Sequence, residues 1–181
     1  HSGFLLPFAL LDSTTASEAF WWYAVVYAVM NVSIFFLLDE YERRGVFDLK
    51  DYTGLGSSNV ISGVVISIVL VSLIGLPPLA GFTAKFFMFG SLWESFELSD
   101  EMLYMVYLSV AVFATVISLF FYLRIPYQMF LVKAKTPLSF EFSLSTKIIA
   151  TLFSIVLLLL FFVPQILTVM QQLLTSHIAH E

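Results

Sequence analysis

The sequence predicts an all-α protein, a polytopic bundle of transmembrane helices, from three observations. Of its 181 residues, 60% are hydrophobic and only 12% are charged, which is about half the charged fraction of a soluble domain. The apolar residues lie in runs that approach or exceed the roughly 20 helical residues needed to cross a bilayer. The charged residues cluster in the short segments between these runs. An integral membrane protein is therefore expected.

The residue types that are scarce exclude several classes of function. The chain has no cysteine and three histidines, so disulfides, thiolate metal sites and cysteine-held iron–sulfur clusters are not possible. Eight basic residues stand against thirteen acidic ones, which offers no surface for nucleic acid. We expect no metal, no cofactor and no redox centre on this chain.

We interpret residues 1–181 as a single membrane domain. Its spans are expected at about 3–11 (partial), 19–38, 58–92 with a break at 75–81, 102–124 and 148–163, followed by an interfacial tail at 166–181. The run 58–92 would measure more than about 50 Å as one straight helix, which no ordinary bilayer accommodates. Pro77 and Pro78 predict the break, because proline lacks the N–H donor and clashes with the preceding turn. Pro164 is expected to end the last span.

Lys85 is the only charged side chain between Asp51 and Glu94, and it lies within the third apolar run. An ammonium there costs about 2.5 to 3.5 kcal/mol by insertion scales, so it marks an ion or proton path by default. Burial lowers and a nearby acid raises the proton affinity of a lysine, so Lys85 can act as a proton relay. The alternative is that its long stem reaches the interface and only anchors the helix end.

Other candidates surround Lys85 in the sequence. The helix break comprises Gly75, Pro77, Pro78 and Gly81, and its freed carbonyls can bind water along a path; a kink without function is the alternative. Residues that could line or tune a proton path, or serve only packing, are His1, Ser2, Thr83, Tyr122 and Arg124. Arg124 does not lose its proton, so it is either an anchor that contacts lipid headgroups or an electrostatic partner. Glu40, Glu42, Arg43 and Arg44 are most simply a solvated loop.

The basic residues of the loops segregate to one side of the predicted bundle. Arg43, Arg44 and Lys50 lie in one loop, and the lysines at 133, 135 and 147 lie in the loop two spans later. The positive-inside rule places these loops in the cytoplasm or the mitochondrial matrix.

Three strings carry a family resemblance. The segment Leu73–Phe87 reads LIGLPPLAGFTAKFF, Phe120–Arg124 reads FFYLR, and Phe162–Pro164 reads FVP. Together they resemble the C-terminal part of subunit 2 of proton-pumping NADH:ubiquinone oxidoreductase, respiratory complex I. The resemblance implies the last five helices of a fourteen-helix antiporter-like fold with one discontinuous helix. It also implies that Lys85 matches the lysine on that helix, which belongs to a central hydrophilic axis.

The resemblance further implies a role and partners. The chain would be a split or partial subunit 2 that couples NADH oxidation and ubiquinone reduction to proton pumping, with FMN, iron–sulfur clusters, NADH and ubiquinone bound elsewhere on the complex. Its partners would be other membrane-arm subunits, lipids and a chain carrying the preceding helices. The expected location is the mitochondrial inner membrane, or alternatively a bacterial plasma membrane. A cation/proton antiporter subunit and a non-transporting membrane scaffold remain alternatives.

Overall fold

The computed structural model describes residues 2–11, 14–133 and 140–178, with the side chains at 9–10, 14–15 and 165–178 left out of the description. His1, a predicted path residue, lies outside the described residues. Every regular element in the described ranges is helical, which confirms the predicted fold class. A 3₁₀ helix at Ser2–Leu10 precedes the α-helices. These are α1 (Thr14–Glu42), α2 (Leu55–Ser58), α3 (Val60–Ile74), α4 (Ala80–Ser99), α5 (Met102–Leu131) and α6 (Leu144–Ile178).

Three helices in the described part of the chain are long and apolar enough to cross a membrane. They are Ala16–Glu42 within α1, Met102–Leu131 and the first part of α6, Leu144–Pro164. Helix α3 is apolar but has only 15 residues, or about 22 Å of rise. It is therefore too short to cross alone. The short segment 75–79, which lies within the predicted third span, connects α3 to α4.

Helix α1 lies at the centre of the bundle and packs against α3, α4 and α6. Its buried side chains recur every three or four residues, as one helix face requires. This buried face consists of Tyr23, Val26, Met30, Leu37 and Tyr41, each at most 1% exposed. The core of the described bundle forms around this face.

Glycines bring α2 and α3 close to α5. A Cβ atom built at Gly56 would lie 2.6 Å from the ring of Phe130, and one at Gly63 would lie 2.9 Å from the same ring. Small residues commonly allow such close approach between membrane helices. The backbone N–H of Gly54 also donates a hydrogen bond to the carbonyl of Gln128 at 3.1 Å, which ties the segment before α2 to the end of α5.

Pro164, the predicted end of the last span, is not the end of the helix. Helix α6 continues through Pro164 to Ile178. A single proline removes one backbone hydrogen bond, and in an apolar environment the remaining helical bonds still satisfy the backbone better than any irregular segment does. Residues 179–181 of the predicted interfacial tail lie outside the described residues.

The predicted solvated loop after α1 is also wrong in part, because helix α1 extends to Glu42. The Nη1 of Arg44 donates to Oε2 of Glu40 at 2.6 Å, and both side chains are mostly buried. The guanidinium also lies over the ring of Phe142, 4.5 Å from its centroid. Glu40 in turn accepts a hydrogen bond from the Thr146 hydroxyl at 3.3 Å. This end of α1 is therefore attached to the start of α6.

The segment between α1 and α2 has a defined turn. A short 3₁₀ helix spans Leu49–Tyr52, and the Asp51 carboxylate accepts hydrogen bonds from the backbone N–H groups of Phe47 and Asp48 at 2.9 and 2.8 Å. The hydrogen bond from Asp48, and to a smaller extent that from Phe47, stabilises the charged carboxylate and holds the pKa of Asp51 below its ordinary value. Burial raises the pKa of Tyr52 to about 12, with a further contribution from Glu42.

Candidate functional site

The interruption between α3 and α4 is formed by the segment 75–79. Gly75 ends α3 with a φ of 88°, a left-handed conformation that glycine adopts without steric cost. Its N–H donates to the carbonyls of Val71 and Ser72 at 3.1 and 3.0 Å. Pro77 and Pro78 are exposed within the segment, and the peptide bond between them is cis.

Lys85 lies in the second turn of α4 and is only 4% exposed. Its side chain extends back to the end of α3, where Nζ donates to the carbonyl of Ile74 at 2.6 Å and to that of Leu73 at 3.2 Å. The last carbonyls of a helix have no intrahelical partner and carry the negative end of its dipole. The ammonium therefore satisfies orphan acceptors, and the helix end partly balances its charge.

The charge of Lys85 is not balanced by an acid in the described part of the chain. The ion pairs found there join Arg43 to Asp39, Arg44 to Glu40 and Lys147 to Glu141. A buried ammonium held by carbonyl dipoles rather than by a carboxylate can lose its proton without leaving an unpaired anion behind. This arrangement can therefore hold a proton and release it.

The two glycines of the predicted break have different roles. A Cβ atom at Gly75 would lie 2.8 Å from Cδ of Lys85, so the glycine makes room for the lysine stem. Gly81 lies inside α4 and not in the break, which corrects the predicted limit at 81. A Cβ atom there would lie 1.7 Å from the carbonyl oxygen of Ser72. Gly81 thus allows the start of α4 to contact the backbone of α3.

Thr83 is buried beside this contact. Its hydroxyl donates to the carbonyl of Ala80 at 2.9 Å and accepts from Nε1 of Trp22 at 3.3 Å. The hydrogen bond from Trp22 joins α1 to the start of α4. Within the described structure, the hydroxyl of Thr83 is thus engaged in helix packing.

Sequence reasoning missed the aromatic residues near Lys85. The ring of Phe4, on the first 3₁₀ helix, has its centroid 5.1 Å from Nζ of Lys85 and 6.2 Å from the ring of Tyr23. Tyr23 in turn stacks on Tyr27, with ring centroids 6.1 Å apart. The spacing of Tyr23 and Tyr27 on one helix face was the available signal. Nothing in the sequence indicated Phe4.

The remaining predicted residues are Ser2, Tyr122 and Arg124. Ser2 is exposed on the first 3₁₀ helix, and Tyr122 is half-buried on α5. Arg124 is exposed and lines a surface groove with Glu42 and Phe121. The described residues that contact Lys85, namely Phe4, Leu73, Ile74 and Gly75, do not line that groove. Of the predicted site residues in the described part of the chain, Gly75 is the one that lies against the side chain of Lys85, whereas Gly81 contacts Ser72 and Thr83 bonds to Ala80 and Trp22.

The fold and site define a polytopic membrane bundle in which a buried lysine lies at an interrupted helix. A family described as "NADH:quinone oxidoreductase/Mrp antiporter, TM" matches residues 1–118. The chain belongs to this family.

Individual relatives support the same membership. The chain is 30% identical to NADH-quinone oxidoreductase subunit N 2 of Chloroherpeton thalassium over 91% of this chain and 32% of the relative. It is 34% identical to subunit N 1 of Herpetosiphon aurantiacus over 72% of this chain and 26% of the relative. It is also 35% identical to the chloroplastic NAD(P)H-quinone oxidoreductase subunit 2 of Zygnema circumcarinatum over 65% of this chain and 22% of the relative.

A solved structure shares the fold. A chain of respiratory complex I from Thermus thermophilus superposes with a TM-score of 0.64 at 22% identity, over 82% of this chain and 33% of that one. The chain spans about a third of the length of the first of these relatives and of this structure. It is a multi-pass membrane chain of the antiporter-like type.

Proposed function

We propose that this chain forms the C-terminal part of a proton-translocating membrane subunit of respiratory complex I, and that Lys85 relays protons within it. The single observation that carries the proposal is the position of Lys85. It is 4% exposed and bound to the carbonyls of Leu73 and Ile74 at the helix interruption. A lysine that only anchored a helix end would extend to the surface.

The family and the relatives support this proposal. The relatives named above are quinone oxidoreductase subunits, which favours complex I over a cation/proton antiporter within the same family. A non-transporting scaffold would not need a buried ammonium. Replacing a buried charge by an apolar residue is often neutral or stabilising for the folded protein.

The proposal is tested by neutralising Lys85 in the assembled enzyme. We expect Lys85→Met to reduce NADH-driven proton pumping at least about tenfold, measured by dye quenching in sealed vesicles. Lys85→Arg keeps the charge but does not release the proton, so it should also fail to pump. Lys133→Met, which neutralises an exposed lysine, is the matched control. Native electrophoresis confirms assembly. Wild-type pumping by an assembled Lys85→Met enzyme would contradict the proposal.

The proposed partners and cofactors follow from this role. The chain would bind other membrane-arm subunits, lipids and the preceding helices of the same subunit. FMN, iron–sulfur clusters, NADH and ubiquinone would be bound by other parts of the complex. Co-purification of flavin and iron–sulfur subunits with this chain would identify the enzyme. Pumping that depended on sodium instead of quinone reduction would favour the antiporter.

The membrane that holds the chain is also a proposal. The relatives named above come from bacteria and from a chloroplast, so a bacterial plasma membrane is consistent with them. The mitochondrial inner membrane stays a prediction.

A further inference from the structure

The ammonium of Lys85 has three N–H donors and no acceptor. Two of these donors are used by the carbonyl oxygens of Ile74 and Leu73, at 2.6 and 3.2 Å. The ring of Phe4 lies 5.1 Å from Nζ, within the distance of about 6 Å at which an aromatic face attracts a cation. The three donors therefore match two carbonyls and one ring face.

The ring of Phe4 is buried against α1. Phe4 is 9% exposed, and its ring packs at 6.2 Å on that of Tyr23 from α1. Because Tyr23 belongs to the buried face of α1, the first 3₁₀ helix is held against the bundle at this point. Phe4 and Lys85 are far apart in the sequence, so this contact depends on the tertiary structure.

We propose that Phe4 is a positioning residue for Lys85. Its ring face, 5.1 Å from Nζ, holds the ammonium against the C-terminal carbonyls of α3. This inference rests on the proposed relay function of Lys85, and it adds a residue outside α3 and α4 to the relay site.

An aromatic ring attracts the ammonium of Lys85, whereas an aliphatic side chain of similar size does not. Phenylalanine and leucine both fill space and exclude water, but only the aromatic ring has a negative face. A neutral amine keeps two N–H donors for the two carbonyls, but its lone pair is then directed toward the ring face, which repels it. The proposed site therefore orients the charged amine specifically.

The test replaces Phe4 by leucine, by tyrosine and by ring-fluorinated phenylalanines in the assembled enzyme. Fluorination weakens the negative ring face with little change in shape. We expect pumping per NADH oxidised to fall stepwise from one to three fluorine atoms and to fall at least about twofold in Phe4→Leu, whereas Phe4→Tyr keeps it. Phe8→Leu is the matched control, because Phe8 is also buried on the same 3₁₀ helix but packs on Phe20 and Tyr23.

The outcomes separate this inference from the proposed function. If all Phe4 variants pump like the wild type while Lys85→Met does not, the relay stands and the role of Phe4 is refuted. If Lys85→Met also pumps, both fail. If Phe4→Leu does not assemble, the fluorinated series decides: a stepwise fall supports the inference, and unchanged pumping in all fluorinated forms overturns it.

Discussion

At the scale of single residues, the sequence identified Lys85 but not its surroundings. A lone charge in an apolar run is visible without any structure. The partners of the charge are the carbonyls of Leu73 and Ile74 and the ring of Phe4. In the structure these carbonyls, which end α3, accept hydrogen bonds from the lysine itself. Backbone carbonyls are present at every residue, so the sequence does not indicate which of them a side chain will reach.

Gly75 provides a prediction at this scale. Gly75→Ala introduces a Cβ at a φ of 88° and also places it 2.8 Å from Cδ of Lys85, whereas Gly45→Ala has a similar φ of 84° and open space around it. The backbone strain alone should cost about 1 to 3 kcal/mol in either variant. We expect only Gly75→Ala to reduce proton pumping as well, measured in vesicles. Equal pumping and equal thermal stability of the two variants would show that Gly75 does not determine the lysine position.

At the scale of the helices, the interruption is where local sequence was most informative. Two prolines in an apolar run too long for one membrane crossing indicated a break, and α3 and α4 are separated by 75–79. Its end was misplaced, because Gly81 was read as a residue of the break. Gly81 is a helical residue whose missing side chain permits contact with Ser72. A glycine that serves a turn and one that serves close packing look the same in a sequence.

The close contact at Gly81 predicts that alanine substitutions at two glycines of α4 will differ in effect. Gly81→Ala places a Cβ 1.7 Å from a backbone oxygen, which cannot rotate away, whereas Gly90→Ala in the same helix meets nothing within 4 Å. We expect Gly81→Ala to destabilise the protein by about 3 kcal/mol. Gly90→Ala should be neutral or stabilising by up to about 1 kcal/mol. Thermal unfolding of the purified assembly measures the difference, and similar midpoints for both variants would refute the close contact between α3 and α4.

At the scale of the whole molecule, the charge pattern predicts the orientation. The basic loops should lie on one side of the membrane and the acidic α4–α5 turn on the other. Because the chain has no cysteine, single substitutions can be labelled without background from this chain. Lys50→Cys and Lys133→Cys should react with an impermeant maleimide from the same side, and Glu101→Cys from the opposite side. The labelled chain is detected by its mass.

A labelling pattern in which the two lysine positions lie on different sides would contradict the predicted orientation. If Lys50→Cys and Lys133→Cys react from different sides, the number of crossings between them is odd. The predicted pairing of α3 and α4 within one interrupted span would then be wrong.

The sequence by itself determined the helical membrane class, the interrupted helix and the presence of a lysine within the third apolar run, because hydropathy, proline and isolated charge act locally. It did not determine which faces pack. Helix α5 is more hydrophobic than α1 but is much less buried, since hydropathy does not distinguish a face toward lipid from one toward protein. Only the tertiary structure brought Phe4 to Lys85 and Arg44 to Phe142. Contacts between residues far apart in the chain depend on how the helices pack, and no local pattern encodes them.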